Sequence, residues 1–263
     1  MNAASHDRPR LTVGVAGACY YLPIERFLAT TDRFVEKVTG DCVAERRFIA
    51  MKDTVSAAHH ANATRWLSGH GPFLDISAYA MACADLPDTL PLYLVFNDTL
   101  FTRHAWRLAS RRLARVRESL AAFGKPAAAA EVHPSTDLLL LDAHNPTRRH
   151  LSTFCLMLNN SGFRLLRRLL TTLPESDDHA TVQAWIDARM NEYPALAPLL
   201  HVHLTGPRSP WSWKQDAADL LQRKAVTVIF EYLFTVELLS RGVGMPINNG
   251  FGYRLAARLG RHG

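Results

Sequence analysis

The sequence predicts an α/β protein with a mainly parallel sheet, flanking helices and a helical C-terminal part. Three observations lead there. Short strand-like runs at Leu11–Tyr21, Arg47–Asp53 and Leu92–Asp98 alternate with longer helical patterns. Leu92-Tyr-Leu-Val-Phe96 is apolar at every position, as expected of a strand buried on both faces. That run passes directly into Asn97-Asp98-Thr99, which delivers an acid and an amide to its C-terminal end. In open α/β sheets that edge is where ligands bind.

Each element has a local reason. Leu11–Tyr21 is small-residue-rich and strand-like. Pro23 opens a helix whose apolar residues Ile24, Phe27, Leu28, Val35 and Val38 share a face, and Gly40 stops it. Arg47–Asp53 reads as a second strand ending on an acid, with Thr54 or Ser56 capping a helix over Ala57–Leu67. Asp75 is placed to cap a helix over Ile76–Asp85. After the Leu92–Asp98 strand, Thr102–Phe123 reads as one long amphipathic helix, ended by Gly124-Lys-Pro126. Val132–Pro134 is a short strand or an extended link, Asp137–Asp142 another buried strand ending in an acid, and His150–Asn159 a further strand. Ser161 is expected to cap a helix over Gly162–Thr172. A helix over Asp177–Tyr193, a Pro-rich connection through Pro210, a long helix over Trp213–Arg241, a turn or short extended segment at Met245–Gly250 and a basic tail over Phe251–Gly263 complete the pattern. The expected organisation is a disordered tail over 1–10, a core over 11–172, and a helical part of the same domain over 173–263.

Composition narrows the function. The 263 residues are 48% hydrophobic, enough for one large core. No apolar run approaches the roughly 20 residues that span a bilayer, and Met1–Arg10 lacks the apolar stretch of a secretory signal, so the expected location is cytoplasmic. Cys19, Cys42, Cys83 and Cys155 form no Cys-x-x-Cys pair, which argues against structural zinc or a disulfide framework. The net charge of +6 suits a phosphorylated small molecule, an anionic polymer or a membrane surface. No nucleic-acid motif, ATP loop, dinucleotide fingerprint or hydrolase elbow is present. Arg103, Arg107, Arg111 and Arg115 recur every fourth residue and so share one helical face. They read as a solvated face, or as a patch toward an anionic glycan or lipid head group. His201-Val-His203 has metal-like spacing if it lies on a strand.

Leu11–Phe163 resembles the GT-A class of nucleotide-sugar glycosyltransferases, and more nearly the bacterial polysaccharide-type members grouped with rhamnan synthesis. The residues that carry the likeness are the first strand Thr12–Ala18, the second strand ending at Asp53, the helix Asp75–Asp85, the element Phe96-Asn-Asp-Thr99, and His150–Phe163 as an acceptor-side strand. The resemblance implies a nucleoside diphosphate sugar as donor and a glycan or lipid-linked acceptor. The basic tail Phe251–Gly263 points to an acceptor at a membrane, with peripheral contact at the inner face. The resemblance implies that Ala16, Gly17 and Tyr20 line the base and that Asp53 bonds the base or ribose. Asn97, beside Asp98, is expected to touch the donor, and Arg103, in the first turn of the helix that follows, is placed to reach its diphosphate. Asp98 would hold Mg2+ or Mn2+ and the diphosphate, although the family often has two carboxylates where this chain has one. Asp142 and Glu231 are the candidates to take the acceptor hydroxyl's proton. Asp142 is equally readable as a turn cap, and Glu231, in an apolar helix, as half of a structural pair with an arginine. A non-catalytic relative that binds a glycan or a partner protein is the other reading of the chain.

Overall fold

The computed structural model describes residues 11–40, 42–50, 64–68, 72–134, 149–206 and 218–247. The chain runs β1 (Thr12–Cys19), α1 (Ile24–Thr39), β2 (Val43–Ala50), β3 (Thr64–Ser68), α2 (Leu74–Ala84) and β4 (Leu92–Asn97). It continues through α3 (Thr99–Arg103), α4 (Trp106–Ala121), β5 (Ala127–Pro134), β6 (Arg149–Asn159) and α5 (Asn160–Leu170). Helices α6 (His179–Glu192), α7 (Leu196–Thr205) and α8 (Ala218–Arg241) lead to the short strand β7 (Val243–Pro246).

The strands form a seven-stranded sheet in the order β3-β2-β1-β4-β6-β5-β7. β1 pairs in parallel with both β2 and β4, β2 with β3, and β5 with β7. β6 alone is reversed, antiparallel to both its neighbours. The expected α/β class with a mostly parallel sheet is therefore what the chain adopts. Both faces are covered. Alternate residues Val13, Val15, Leu92, Leu94 and Phe96 pack under α1 and α4. Tyr93, Val95, Leu156 and Leu158 pack under α2, α5 and α8. Helices α6 and α7 add a third cluster against the outer side of α8. This two-sided burial explains why the strands read as continuous apolar runs.

Several boundaries differ from expectation. Thr64–Ser68 is a strand, not the end of a helix, because Thr64-Arg-Trp-Leu-Ser68 pairs in register with Arg46–Ala50; sheet pairing overrides the local alanine-rich pattern. The helix expected over Thr102–Phe123 is two helices, broken where His104 adopts an extended backbone (φ −119°, ψ 160°). The Pro-rich connection contains α7, in which Pro198 falls in the first turn, where a missing N–H costs nothing. His201 and His203 therefore lie on a helix and not on one side of a strand. Phe73, not Asp75, precedes α2, and Asp75 sits inside its first turn. The extended segment expected from Met245 starts two residues earlier, as β7, and returns to the sheet beside β5.

Asn159, in place of the expected Ser161, caps α5. Its Oδ1 accepts from Gly162 N (2.8 Å) and Ala127 N (3.0 Å), and its Nδ2 donates to the carbonyls of Phe123 and Lys125 (both 2.7 Å). One buried amide thus ties β6 and α5 to the turn before β5. Glycines close the same corner from both sides. A Cβ on Gly162 would lie 2.5 Å from Ala127 O, and one on Gly242 would lie 1.7 Å from Pro126 O. Gly242→Ala is expected to destabilise the protein by about 3 kcal/mol. In a chain of this size that is a Tm loss of roughly 6–12 °C, checked by thermal melting; an unchanged Tm would mean that the α8–β7 corner does not need this close approach.

Candidate functional site

The strand order reverses direction between β1 and β4, because β2 lies on one side of β1 and β4 on the other. Such a switch point leaves a crevice beyond the strand C-termini. Asp98 stands there, and it is fully buried. Its Oδ2 accepts from three successive backbone N–H groups, Tyr20 at 2.8 Å, Tyr21 at 2.5 Å and Leu22 at 2.8 Å. Consecutive N–H groups of this kind form an anion-binding nest. In this chain the nest is filled by the protein's own carboxylate, which holds the β1–α1 turn against the end of β4. Asp98 Oδ1 is buried and has no hydrogen-bond partner among the described residues.

That geometry gives Asp98 a task other than the expected one. A divalent cation needs several oxygen ligands with room for water. At Asp98 one oxygen is saturated by N–H donors, which disfavour a cation, and the other is sealed from solvent. Among the described residues no group of three or more His, Cys, Asp and Glu is arranged to hold a metal ion. The described residues do not fit Mg2+ or Mn2+ at this position.

Ala16 and Gly17, expected to line a base, are inside the sheet instead. Ala16 is fully buried between its partners Arg47 and Val95. A Cβ on Gly17 would meet Phe48 at 2.9 Å. They lie short of the strand end, so packing governs them. Tyr20 is at the rim, half-buried, with its ring edge-to-face against Tyr21 at 4.7 Å. Tyr21 is 55% exposed. Asp53 and Asp142 lie outside the described residues. Arg103 is the last residue of α3.

The polar side chains that do converge sit one strand over, on the α2–α8 face of the same edge. Asn97, the last residue of β4, donates from Nδ2 to Asp75 Oδ2 at 2.7 Å, and its Oδ1 accepts from Thr99 N at 3.0 Å. Tyr79, one turn after Asp75, donates to the carbonyl of Thr153 at 2.9 Å. Glu231 Oε1 accepts from Thr153 N (3.1 Å) and Thr153 Oγ1 (2.6 Å). Thr235, a turn further along α8, accepts from Leu151 N at 3.0 Å and fixes α8 to β6. His150 lies against Tyr232, with ring centroids 4.7 Å apart and planes tilted by 43°. Lys224, a half-buried residue of α8, lies within electrostatic reach of Asp75, Glu231 and His203.

The two carboxylates are driven in opposite directions. Burial pushes the Asp75 carboxyl above the usual 3.8, helped by the Glu231 charge and only partly opposed by Lys224 and the Asn97 bond. Burial also opposes ionisation of Glu231, but His150, Lys224 and the two Thr153 bonds outweigh it and hold the group below 4.5. Burial and the neighbouring Lys224 lower the His203 imidazole from 6.5. Titratable pairs whose environments separate their proton affinities mark acid–base assignments. Of the expected residues the structure brings together Asn97 and Glu231. Glu231's bonded partner is Thr153 and its field comes from His150 and Lys224, so the anticipated arginine pair is not what holds it.

The sequence reading missed Asp75, Tyr79, Thr153 and Lys224 as site residues. Asp75 looked like an ordinary cap; the available signal was that Asp75 and Tyr79 stand four apart on an otherwise apolar helix. A second buried pair, His104 Nδ1 to Glu131 Oε2 at 3.0 Å, lies under Phe154. Ala130 and Val132 of β5 pack on the α2–α8 face, so Glu131 between them is on the α1–α4 face and the sheet separates this pair from Glu231.

No protein-family model matches the chain, and no curated protein does. Among solved structures it is similar to 4-diphosphocytidyl-2C-methyl-D-erythritol synthase from Anaerococcus prevotii, at 15% identity and a TM-score of 0.39, over 68% of this chain and 84% of that one. A likeness that distant carries no argument, and the fold assignment stands on the strand pairings themselves.

Proposed function

We propose that this chain is a nucleotide-sugar-dependent glycosyltransferase, acting on a glycan or lipid-linked acceptor at the Asp75–Glu231 edge. The observation that carries the reading is that pair. One carboxylate of raised proton affinity, bonded to Asn97, and one held ionised, bonded to Thr153, lie within electrostatic reach of Lys224 at the sheet edge where α/β folds take ligands. The sequence resemblance to GT-A enzymes supplies the reaction class. The donor nucleotide would lie over the β1–α1 turn at Tyr20, which Asp98 holds in place. Asp75 would take the proton of the acceptor hydroxyl, since a base works best with a proton affinity near the operating pH. The acceptor oxygen then attacks the anomeric carbon, and the bond to the diphosphate breaks with its electron pair leaving on the nucleoside diphosphate. Glu231, ionised, would stabilise positive charge at the anomeric carbon, and Lys224 would compensate the anions nearby.

The second reading is a non-catalytic glycan- or protein-binding relative. It is favoured by Asp98, the one carboxylate of the Asn97-Asp98-Thr99 element, being engaged by backbone N–H groups. Thermal melting with UDP-, GDP- and dTDP-sugars separates the two. On the enzyme reading one donor raises Tm; at a hundredfold excess over Kd the gain is about 2.7 kcal/mol. That is roughly 5–10 °C for a chain of this size. Release of the free nucleoside diphosphate should accompany it. A shift with glycan and none with any nucleotide sugar would establish the binding module instead.

A further inference from the structure

We infer that the outer face of α4 is a docking surface for the phosphate groups of an anionic lipid bilayer. Arg107, Arg111 and Arg115 are exposed and follow one another at single-turn intervals, a stripe roughly 12 Å long. Arg103 is not part of it, because the break at His104 ends α3 first. No carboxylate pairs with these three arginines among the described residues, and the one acid of α4, Glu118, lies against Arg117. Like charges four residues apart destabilise a helix, so the stripe works against α4 unless anions face it. Guanidinium forks match phosphate oxygens.

One feature favours a bilayer over a soluble polymer: the half-buried Trp106 stands at one end of the stripe between Lys37 (5.3 Å from the ring centre) and Arg107 (5.5 Å). An indole flanked by cations is the combination that settles at the headgroup level of a membrane. No helix among the described residues is long and apolar enough to cross a membrane, so the contact is peripheral. Because α3 and α4 follow the end of β4, the Trp106 end of the stripe lies at the same sheet edge as Asp75 and Asn97. Docking on this face would bring that edge to the headgroups.

The test is co-sedimentation of the full chain with vesicles of phosphatidylcholine alone, and of phosphatidylcholine mixed with phosphatidylglycerol. The protein is expected to sediment with the mixed vesicles only and to be released by salt. The R107E/R111E/R115E variant should lower partitioning at least about 100-fold with Tm unchanged, since the substituted groups are exposed. A variant with lysine at all three positions keeps the charge and should keep most of the binding, which guards against misfolding of the charge-reversed protein. Equal partitioning of the charge-reversed variant, equal binding to neutral vesicles, or arginine-dependent binding to heparin without vesicle binding would each overturn the proposal. No nucleotide enters the measurement, so its outcome is independent of the transferase reading.

Discussion

Asp98→Asn is expected to cost about 3–5 kcal/mol of folding stability, the range for breaking a buried, hydrogen-bonded charge. The carboxylate accepts three backbone N–H bonds on one oxygen while the other is sealed from solvent. An amide fails in both orientations. With its NH2 toward Tyr20, Tyr21 and Leu22, donors face donors. With its oxygen there, the three N–H groups keep an acceptor but lose its full charge, and the NH2 takes the position of Oδ1, which is closed to solvent. Unmade bonds to a buried polar group carry the full desolvation penalty. Urea unfolding of the two proteins measures the difference. A metal-ligand role predicts the reverse pattern: removing a carboxylate from an empty cation site leaves stability unchanged or improves it, and the wild-type protein alone gains Tm with Mg2+ or Mn2+. That result would return Asp98 to the role its sequence position suggests.

The same residue shows how far the sequence could be read. The strand Leu92–Asn97 and the position of Asp98 at its end were legible, because a continuous apolar run followed by polar residues has few structural solutions. Which way the carboxylate turns was not legible. That depends on the β1–α1 turn, some 77 residues earlier, presenting its N–H groups to this position. Ala16 and Gly17 failed for a related reason: strand ends are set by sheet register, and β1 continues to Cys19 before the rim is reached. Glu231 was visible as an anomaly in an apolar helix, yet its partners Thr153, His150 and Lys224 come from β6 and from two turns back along α8. Asp75 was hidden by its resemblance to a cap. Local chemistry named the acids; long-range pairing decided which of them share a site.

Asp75→Asn is expected to slow transfer by roughly two to four orders of magnitude and, at neutral pH, to stabilise the protein. Loss of a general base lowers turnover roughly 100- to 10,000-fold. The stability effect follows from linkage. The folded protein raises the Asp75 carboxyl above 3.8, so between that value and the raised one the folded state binds more protons than the unfolded state. Stability therefore falls as pH rises through this window, and above it the wild-type protein carries the unfavourable charge in full. Asparagine carries no charge and can still accept the Asn97 bond. Its advantage should be present at pH 7 and vanish in acid, once Asp75 is protonated in both states. Glu231→Gln must behave oppositely. Glu231 is held below 4.5 in the folded protein, so its ionised form adds stability above that value and the benefit is lost as pH falls through the folded one. Urea unfolding of the three proteins across this range gives crossing stability differences if the two carboxylates are tuned apart. Parallel differences, with nucleoside diphosphate release intact in Asp75→Asn, would mean that the pair is structural and that the proton acceptor lies elsewhere on the edge. A carboxylate kept where its charge is unfavourable weakens the fold that holds it, and such a position is expected where function demands the charge.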